Sequence, residues 1–336
     1  MANPIEALVQ RWGDNELSVI RLRIVNREKW LYWSYEPNKF GVGDFEQRLI
    51  EWLDNVSTDE DKQTLMRLLV ELFYIGPVEF EELYRSAYQG PIARWLIDSE
   101  SIDVCAVDAH DKIVAAARAT WFCPVTDSFR INAFFHINNL ASGGSLRPDW
   151  RSLKEFGDAS KINAYCAAEG IKRLVLLEDF VGGGSQSLGA VQFAAQILSG
   201  VEILFVPLII CPDGATRARA IAAAINATHP GKLRYQAAVE LPTSAFLTRT
   251  GSPFPHDDPY LGRVRNLVEA TYPRVCGGAP LGTKPYDPYG YPPHPNVPTG
   301  GMLVMYSNTP DNTLPLVHWR PQNGAWQPIF PRHSRD

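Results

Sequence analysis

Two adjacent acids, Glu178 and Asp179, are separated by two residues from three successive glycines, Gly182, Gly183 and Gly184, and Ser185 closes the run. Consecutive glycines let backbone N–H groups converge on an anion, and a helix that begins where they end adds partial positive charge. Carboxylates beside such a cradle suit vicinal hydroxyls or a metal. The set is therefore matched to a sugar phosphate. The plainer reading is a βα turn whose glycines serve tight geometry, and that reading leaves the acid pair unexplained. No lysine follows the glycines, so the stretch is not a phosphate loop of the Walker A type. Nor is it a dinucleotide fingerprint, in which the glycines come directly after the strand.

The elements that must hold these residues are legible around them. Leu174 to Leu177 is an apolar run without polar alternation, the pattern of a short strand buried in a parallel sheet. The acids then stand at its carboxyl end, where open α/β sheets collect ligands. Downstream the pattern predicts a helix over Ser187–Leu198, a strand over Ile203–Ile210, a helix over Thr216–Ala227 and a strand over Leu233–Val239. That is a βαβαβ run, hence a parallel sheet. A helix over Ser160–Ala168 adds one unit before it. Arg217 and Arg219 fall on the solvated face of their helix.

Residues 1–98 read as a helical module and residues 99–336 as an α/β domain. In the module, Asp44 with Gln47 makes a capping box ahead of Leu49, Ile50 and Leu53. Thr58 opens a helix with Leu65, Leu68, Leu69, Leu72 and Phe73 on one face. Gly76-Pro77 and Gly90-Pro91 punctuate the remainder of the module. Nothing in the module carries chemistry; it is a packed cap or, alternatively, a docking surface for a partner. Val104 to Phe122 holds a strand and a helix. Beyond Leu241 the chain is irregular and rich in Pro, Gly and Tyr. There GGAPLGTK (277–284) imitates a phosphate loop but has Thr-Lys in the wrong order and no strand before it.

Composition sets outer limits. The 336 residues are 45% hydrophobic and 21% charged, as in an ordinary globular protein. A net charge of −5 argues against a direct nucleic-acid partner. Cys105, Cys123, Cys166, Cys211 and Cys276 are odd in number and lack CxxC spacing, which fits a reducing cytoplasm and gives no zinc signature. The longest apolar stretch, Ile203–Cys211, is only strand length, so neither a membrane span nor a secretory leader is expected.

The central stretch resembles the PRPP-binding motif of type I phosphoribosyltransferases: an apolar strand, two acids, two residues, then a small-residue loop ending in Gly and Ser or Thr. By that resemblance Glu178 and Asp179 match the acids that hold the ribose hydroxyls and are the expected catalytic carboxylates. Gly182, Gly183, Gly184 and Ser185 match the loop around the 5′-phosphate. Glu stands first where Asp is frequent, and glycines stand where Thr or Ser often does, leaving fewer hydroxyls for the phosphate. The resemblance implies a Rossmann-like parallel sheet of the type I phosphoribosyltransferase kind with an N-terminal helical module. It also implies Mg²⁺ bound with the substrate pyrophosphate, and a second loop for that pyrophosphate. Thr126, Asp127, Ser128 and Arg130 are one candidate for this loop, with a simple turn as the alternative; Ser142 to Arg147 is a rival.

The tail adds a second resemblance. Asn308, Thr309, Asn312 and Thr313 offer polar groups after a predicted strand at Met302–Tyr306, with Trp319 and Trp326 to pack beneath them. Asn308 and Asn312 are thus expected at the edge of the same cleft, or else in Asx turns. The helical module, the PRPP-type motif, the NTP-x-NTLPL segment and the closing Trp and Phe-Pro-Arg together resemble phosphoribosyltransferase-like proteins of bacterial conflict (anti-phage) systems, some encoded beside retrons. That implies a bacterial cytoplasm, a small-molecule ribose phosphate or nucleotide as ligand, and a defence-system partner protein. Three readings remain open: a Mg²⁺-dependent transferase, a non-catalytic sensor of PRPP or nucleotide, and a toxin effector attacking nucleotides.

Overall fold

The structure, a computed structural model, describes residues 4–41, 43–140, 158–248, 259–277, 287–291 and 300–333. The Ser142–Arg147 stretch and most of residues 277–301 lie outside these. Among the described residues are seven strands: β1 (Phe73–Ile75), β2 (Thr120–Pro124), β3 (Arg173–Val181), β4 (Glu202–Ile210), β5 (Leu233–Tyr235), β6 (Val239–Glu240) and β7 (Leu303–Met305). Every pairing between these strands is parallel. The fold is mixed α/β with parallel sheets.

Two compact units divide the chain, one of Met1–Pro77 with Thr243–Asp336 and one of Val78–Pro242. This differs from the division at residue 98 expected from composition. The reason lies in the short ladder in which Phe73, Tyr74 and Ile75 pair with Leu303, Val304 and Met305. It joins the N-terminal helices to the tail.

The second unit is built on the sheet β2-β3-β4-β5, with β6 also paired to β4. Leu174, Val175, Leu176 and Leu177 have no exposed surface, as a strand covered on both faces requires. Helices Ala159–Ala168, Ser187–Ile197 and Pro212–Thr228 lie in the crossovers, and Ala109–Arg118 leads into β2. The ladder on the far side of β4 breaks between β5 and β6, opposite Pro207, a residue that has no N–H to give a neighbour. At the amino end of the sheet the buried Arg173 bonds Thr120 Oγ1 at 3.3 Å and pairs with Glu100. Gly90-Pro91 does not end its helix as expected. Tyr88–Ile92 forms a π-helical turn that carries the chain from Pro77–Ala87 directly into Ala93–Ser99, and such a widened turn accommodates a proline without an N–H.

In the first unit the caps read from the sequence are present: Asp44 accepts Gln47 N–H at 2.7 Å and Thr58 accepts Asp61 N–H at 3.1 Å. Only half of the expected box forms, because the Gln47 side chain reaches Glu51 instead. The tail is the core of this unit. Trp52 and Trp326, both fully buried, each donate Nε1–H to Leu316 O at 2.9 Å. Arg48 Nε donates to Ile329 O at 2.9 Å. The Phe330 ring sits 5.1 Å from Tyr32 and 5.3 Å from Tyr35. No described helix is long and apolar enough to cross a membrane.

His318 is wholly buried and its Nε2–H donates to Thr313 O at 3.1 Å, while burial lowers its pKa to about 4. Its neutral form contributes stability that is complete above the ordinary value of 6.5 and is lost as pH falls through the native value. Chemical denaturation between pH 7 and pH 4 is therefore expected to show a loss of up to about 3 kcal/mol from this group. His318→Gln should flatten that part of the profile; an unchanged profile would remove the assignment.

Candidate active site

β3 runs further than the apolar run suggests. Glu178 stays in register with Pro207, and Phe180 and Val181 with Ile209 and Ile210. The two acids consequently lie within the strand rather than beyond it, and both are buried, at 4% and 6% exposure. β2 stops one residue short of them, with Pro124 opposite Leu177. Val125 N–H bonds Leu177 O at 2.8 Å, and the chain then turns across the acids. Buried Val125 and Phe129 anchor this turn, the Phe129 ring lying 5.4 Å from Tyr84 and 5.9 Å from Phe134.

Between those anchors two hydroxyls meet the carboxylates. Thr126 Oγ1 lies 2.7 Å from Glu178 Oε1, Ser128 Oγ 2.8 Å from Asp179 Oδ1, and the two hydroxyl oxygens 2.7 Å from each other. Three short oxygen–oxygen separations need three protons, and two hydroxyls supply two. A carboxyl proton held by the acid pair supplies the third and completes the chain between Glu178 and Asp179 through Thr126 and Ser128. Burial points the same way. It pushes the Glu178 carboxyl well above its usual range, the neighbouring Asp179 charge pushes it further, and the Thr126 bond opposes them. Asp179 Oδ1 also accepts Phe180 N–H at 2.8 Å. Glu178 Oε2 is buried and has no partner.

Gly182, Gly183, Gly184 and Ser185 leave the carboxyl end of β3 directly. Gly184 adopts φ +77°, a conformation that calls for glycine, and a Cβ there would stand 2.5 Å from Leu188 Cδ1 and displace that side chain. Gly182 O packs so tightly on Gly214 that a Cβ at 214 would overlap it. Arg217 Nη1 donates to Gly183 O at 2.5 Å. Ser185 is exposed, two residues before the helix Ser187–Ile197.

The structure thus brings Thr126 and Ser128 onto Glu178 and Asp179, and sets the glycine loop at the end of the same strand. Asp127 and Arg130, on the same turn, are exposed. Arg217 was expected on a solvated face, and it is exposed, but it also braces the glycine loop. The signal for that contact was topological. Successive βα loops of a parallel sheet are neighbours, and Arg217 lies in the second turn of the helix after β4. Asn308 and Asn312 belong to the other compact unit. Asn308 clasps His333, its Nδ2 donating to His333 O at 2.9 Å and its Oδ1 accepting His333 N–H at 3.2 Å. Asn312 is buried, and its carbonyl accepts Gly301 N–H at 2.8 Å.

Among the described residues no group of three or more His, Cys, Asp or Glu side chains could hold a metal by itself. The donor set nevertheless fits Mg²⁺ in its usual form, in which one or two carboxylates supply hard oxygens and substrate phosphates and water the rest. Glu178 Oε2 and the Asp179 carboxylate would be those oxygens. The family model described as PRTase-CE matches residues 49–332. No curated protein and no solved structure matches the chain.

Two outcomes test this geometry. The Glu178 proton is bound more tightly by the native protein than by the unfolded chain. The stability it contributes is complete below the ordinary value of 4.5 and is lost as pH rises through the native value. Glu178→Gln keeps a donor for Thr126, so the melting temperature of the variant relative to wild type should climb with pH; a constant difference contradicts a neutral Glu178. Gly214→Ala should cost about 1–3 kcal/mol in urea unfolding, since Gly182 O must move. A neutral result would mean that the two loops are not in contact.

Proposed function

The chain belongs to the PRTase-CE family, a phosphoribosyltransferase-like group, and on that premise we propose that it binds the ribose 5-phosphate unit of PRPP or a related nucleotide. The observation that carries the reading is the buried acid pair in β3, one of its oxygens unpartnered, followed at once by the glycine loop. Gly182 to Ser185 hold the 5′-phosphate through backbone N–H groups and the Ser185 hydroxyl, with the field of the next helix behind them. Glu178 and Asp179 accept the ribose hydroxyls. The turn at Thr126, Asp127, Ser128 and Arg130 stands next to the ribose, and its exposed members Asp127 and Arg130 serve the pyrophosphate. Mg²⁺, bound with the substrate, supplies charge neutralisation of the leaving pyrophosphate. The carboxylates stabilise positive charge that develops on the ribose as the C1–O bond breaks.

The biological setting we infer is bacterial anti-phage defence in the cytoplasm, beside an encoded partner protein. It rests on the arrangement across the chain that resembles such systems. One observation favours a sensor over a transferase. Burial raises the Glu178 pKa well above its usual range and a hydroxyl faces each acid, which suits recognition of a diol more than attraction of a cationic sugar and a metal.

Calorimetry with PRPP, with and without Mg²⁺, alongside a pyrophosphate-release assay separates these readings. Ser185→Asp should abolish binding, because it places a negative charge where the phosphate sits. Glu178→Gln combined with Asp179→Asn should retain measurable affinity. In a transferase that pair of changes removes turnover, since the lost interactions act mainly in the transition state. A wild type that binds and never releases pyrophosphate is a sensor. Undiminished binding by Ser185→Asp would remove the site assignment.

A further inference from the structure

We propose that the hydroxyls of Thr126 and Ser128 are an internal stand-in for a ribose diol, occupying the acid pair until a sugar displaces them. The inference rests on the ribose-phosphate reading of the site and concerns how that site is regulated. Two oxygens 2.7 Å apart, one against Glu178 and the other against Asp179, reproduce the adjacent hydroxyls of a ribose ring presented to two carboxylates. Ser128 Oγ also lies 3.5 Å from Glu178 Oε1, so the pair straddles both acids. The match is chemical as well as geometric, because a diol offers the same two O–H donors and the same lone pairs.

The occupants are not fixtures of the core. Thr126 and Ser128 are half-buried, and Asp127 between them is exposed. Their neighbours Val125 and Phe129 are buried and pinned, so the turn as a whole stays in place. Release therefore needs only rotation of two side chains about χ1, a small motion between staggered wells. The buried Glu178 Oε2, without a partner, marks the remaining acceptor, which the resident hydroxyls do not reach and an incoming ligand can use. A buried carboxylate stripped of its hydroxyl partners is costly. The resident pair lowers that cost in the empty protein, and in doing so weakens ligand binding by the same amount.

The two roles of these hydroxyls, competitor or ligand contact, predict opposite signs. Thr126→Val with Ser128→Ala leaves the acids uncapped. The double variant should melt at a lower temperature than wild type and bind ribose 5-phosphate about tenfold more tightly, the worth of one net hydrogen bond to a charged group. Its affinity for inorganic phosphate, which carries no diol, should be unchanged. Ser128→Ala alone, a smaller alteration, should shift affinity in the same direction. Thr126→Ser keeps the hydroxyl and should bind as wild type does. Calorimetry with ribose 5-phosphate and phosphate on the full chain decides between them. Equal or weaker binding of ribose 5-phosphate by the double variant overturns the inference while leaving the ribose-phosphate reading standing. So does a gain for Thr126→Ser equal to that of the valine variant. If wild type and all variants fail to bind ribose 5-phosphate, with or without Mg²⁺, the ribose-phosphate reading falls and this inference with it.

Discussion

A carboxyl group set inside a buried parallel strand governs the second unit. β3 has no exposed surface over Leu174–Leu177, and Glu178 continues it in full register with β4. A charge in that position would have to be desolvated, which is expensive unless it is neutralised or hydrogen-bonded. Burial raises the Glu178 pKa well above its usual range, and a hydroxyl of the turn after β2 bonds its Oε1 while Oε2 is left without a partner. The early end of β2 is what makes room for that turn. Had β2 extended two residues further, its backbone would cover the acids and no side chain from Thr126 or Ser128 could reach them.

The glycine loop answers a second constraint, that two adjacent βα loops must share the end of one sheet. Gly214, at the third position of the helix after β4, lets Gly182 O approach to contact. Arg217 from the same helix holds Gly183 O. The carbonyls of Gly182 and Gly183 are thereby turned toward the neighbouring helix.

Much of this was legible in the sequence because local physics dictates it. Apolar runs without alternation marked β3 and β4, and helices Ser187–Ile197 and Pro212–Thr228 lie where the periodicity put them, the latter beginning four residues earlier at Pro212. Asp44 and Thr58 announced their caps. What was not legible depends on long-range register or topology. The run of four apolar residues could not reveal that β3 extends to Val181, since that depends on pairing with β4. Nor could Thr126 and Ser128 be tied to Glu178 and Asp179 by spacing, because they are 52 and 51 residues apart. The division of units was hidden for the same reason, since β1 and β7 find each other across most of the chain. Gly90-Pro91 misled because a π-helical turn absorbs what an α-helix would not.

The two indoles that share Leu316 O bear on the order in which the protein can be made. Trp52 lies 264 residues before the carbonyl it bonds, and Tyr35 lies 274 residues before Thr309. The helices of residues 4–71 therefore leave the ribosome long before the segment that fills their core exists. The second unit is continuous in sequence and has all its strands by residue 240. It can close while the first helices are still waiting, with apolar faces uncovered, for residues 300–333. Loop closure over such a span is slow compared with local pairing. During synthesis, then, the N-terminal segment is the natural client for a chaperone, and a ribosome halted before Leu316 would carry a finished sheet domain behind an unfinished helical one.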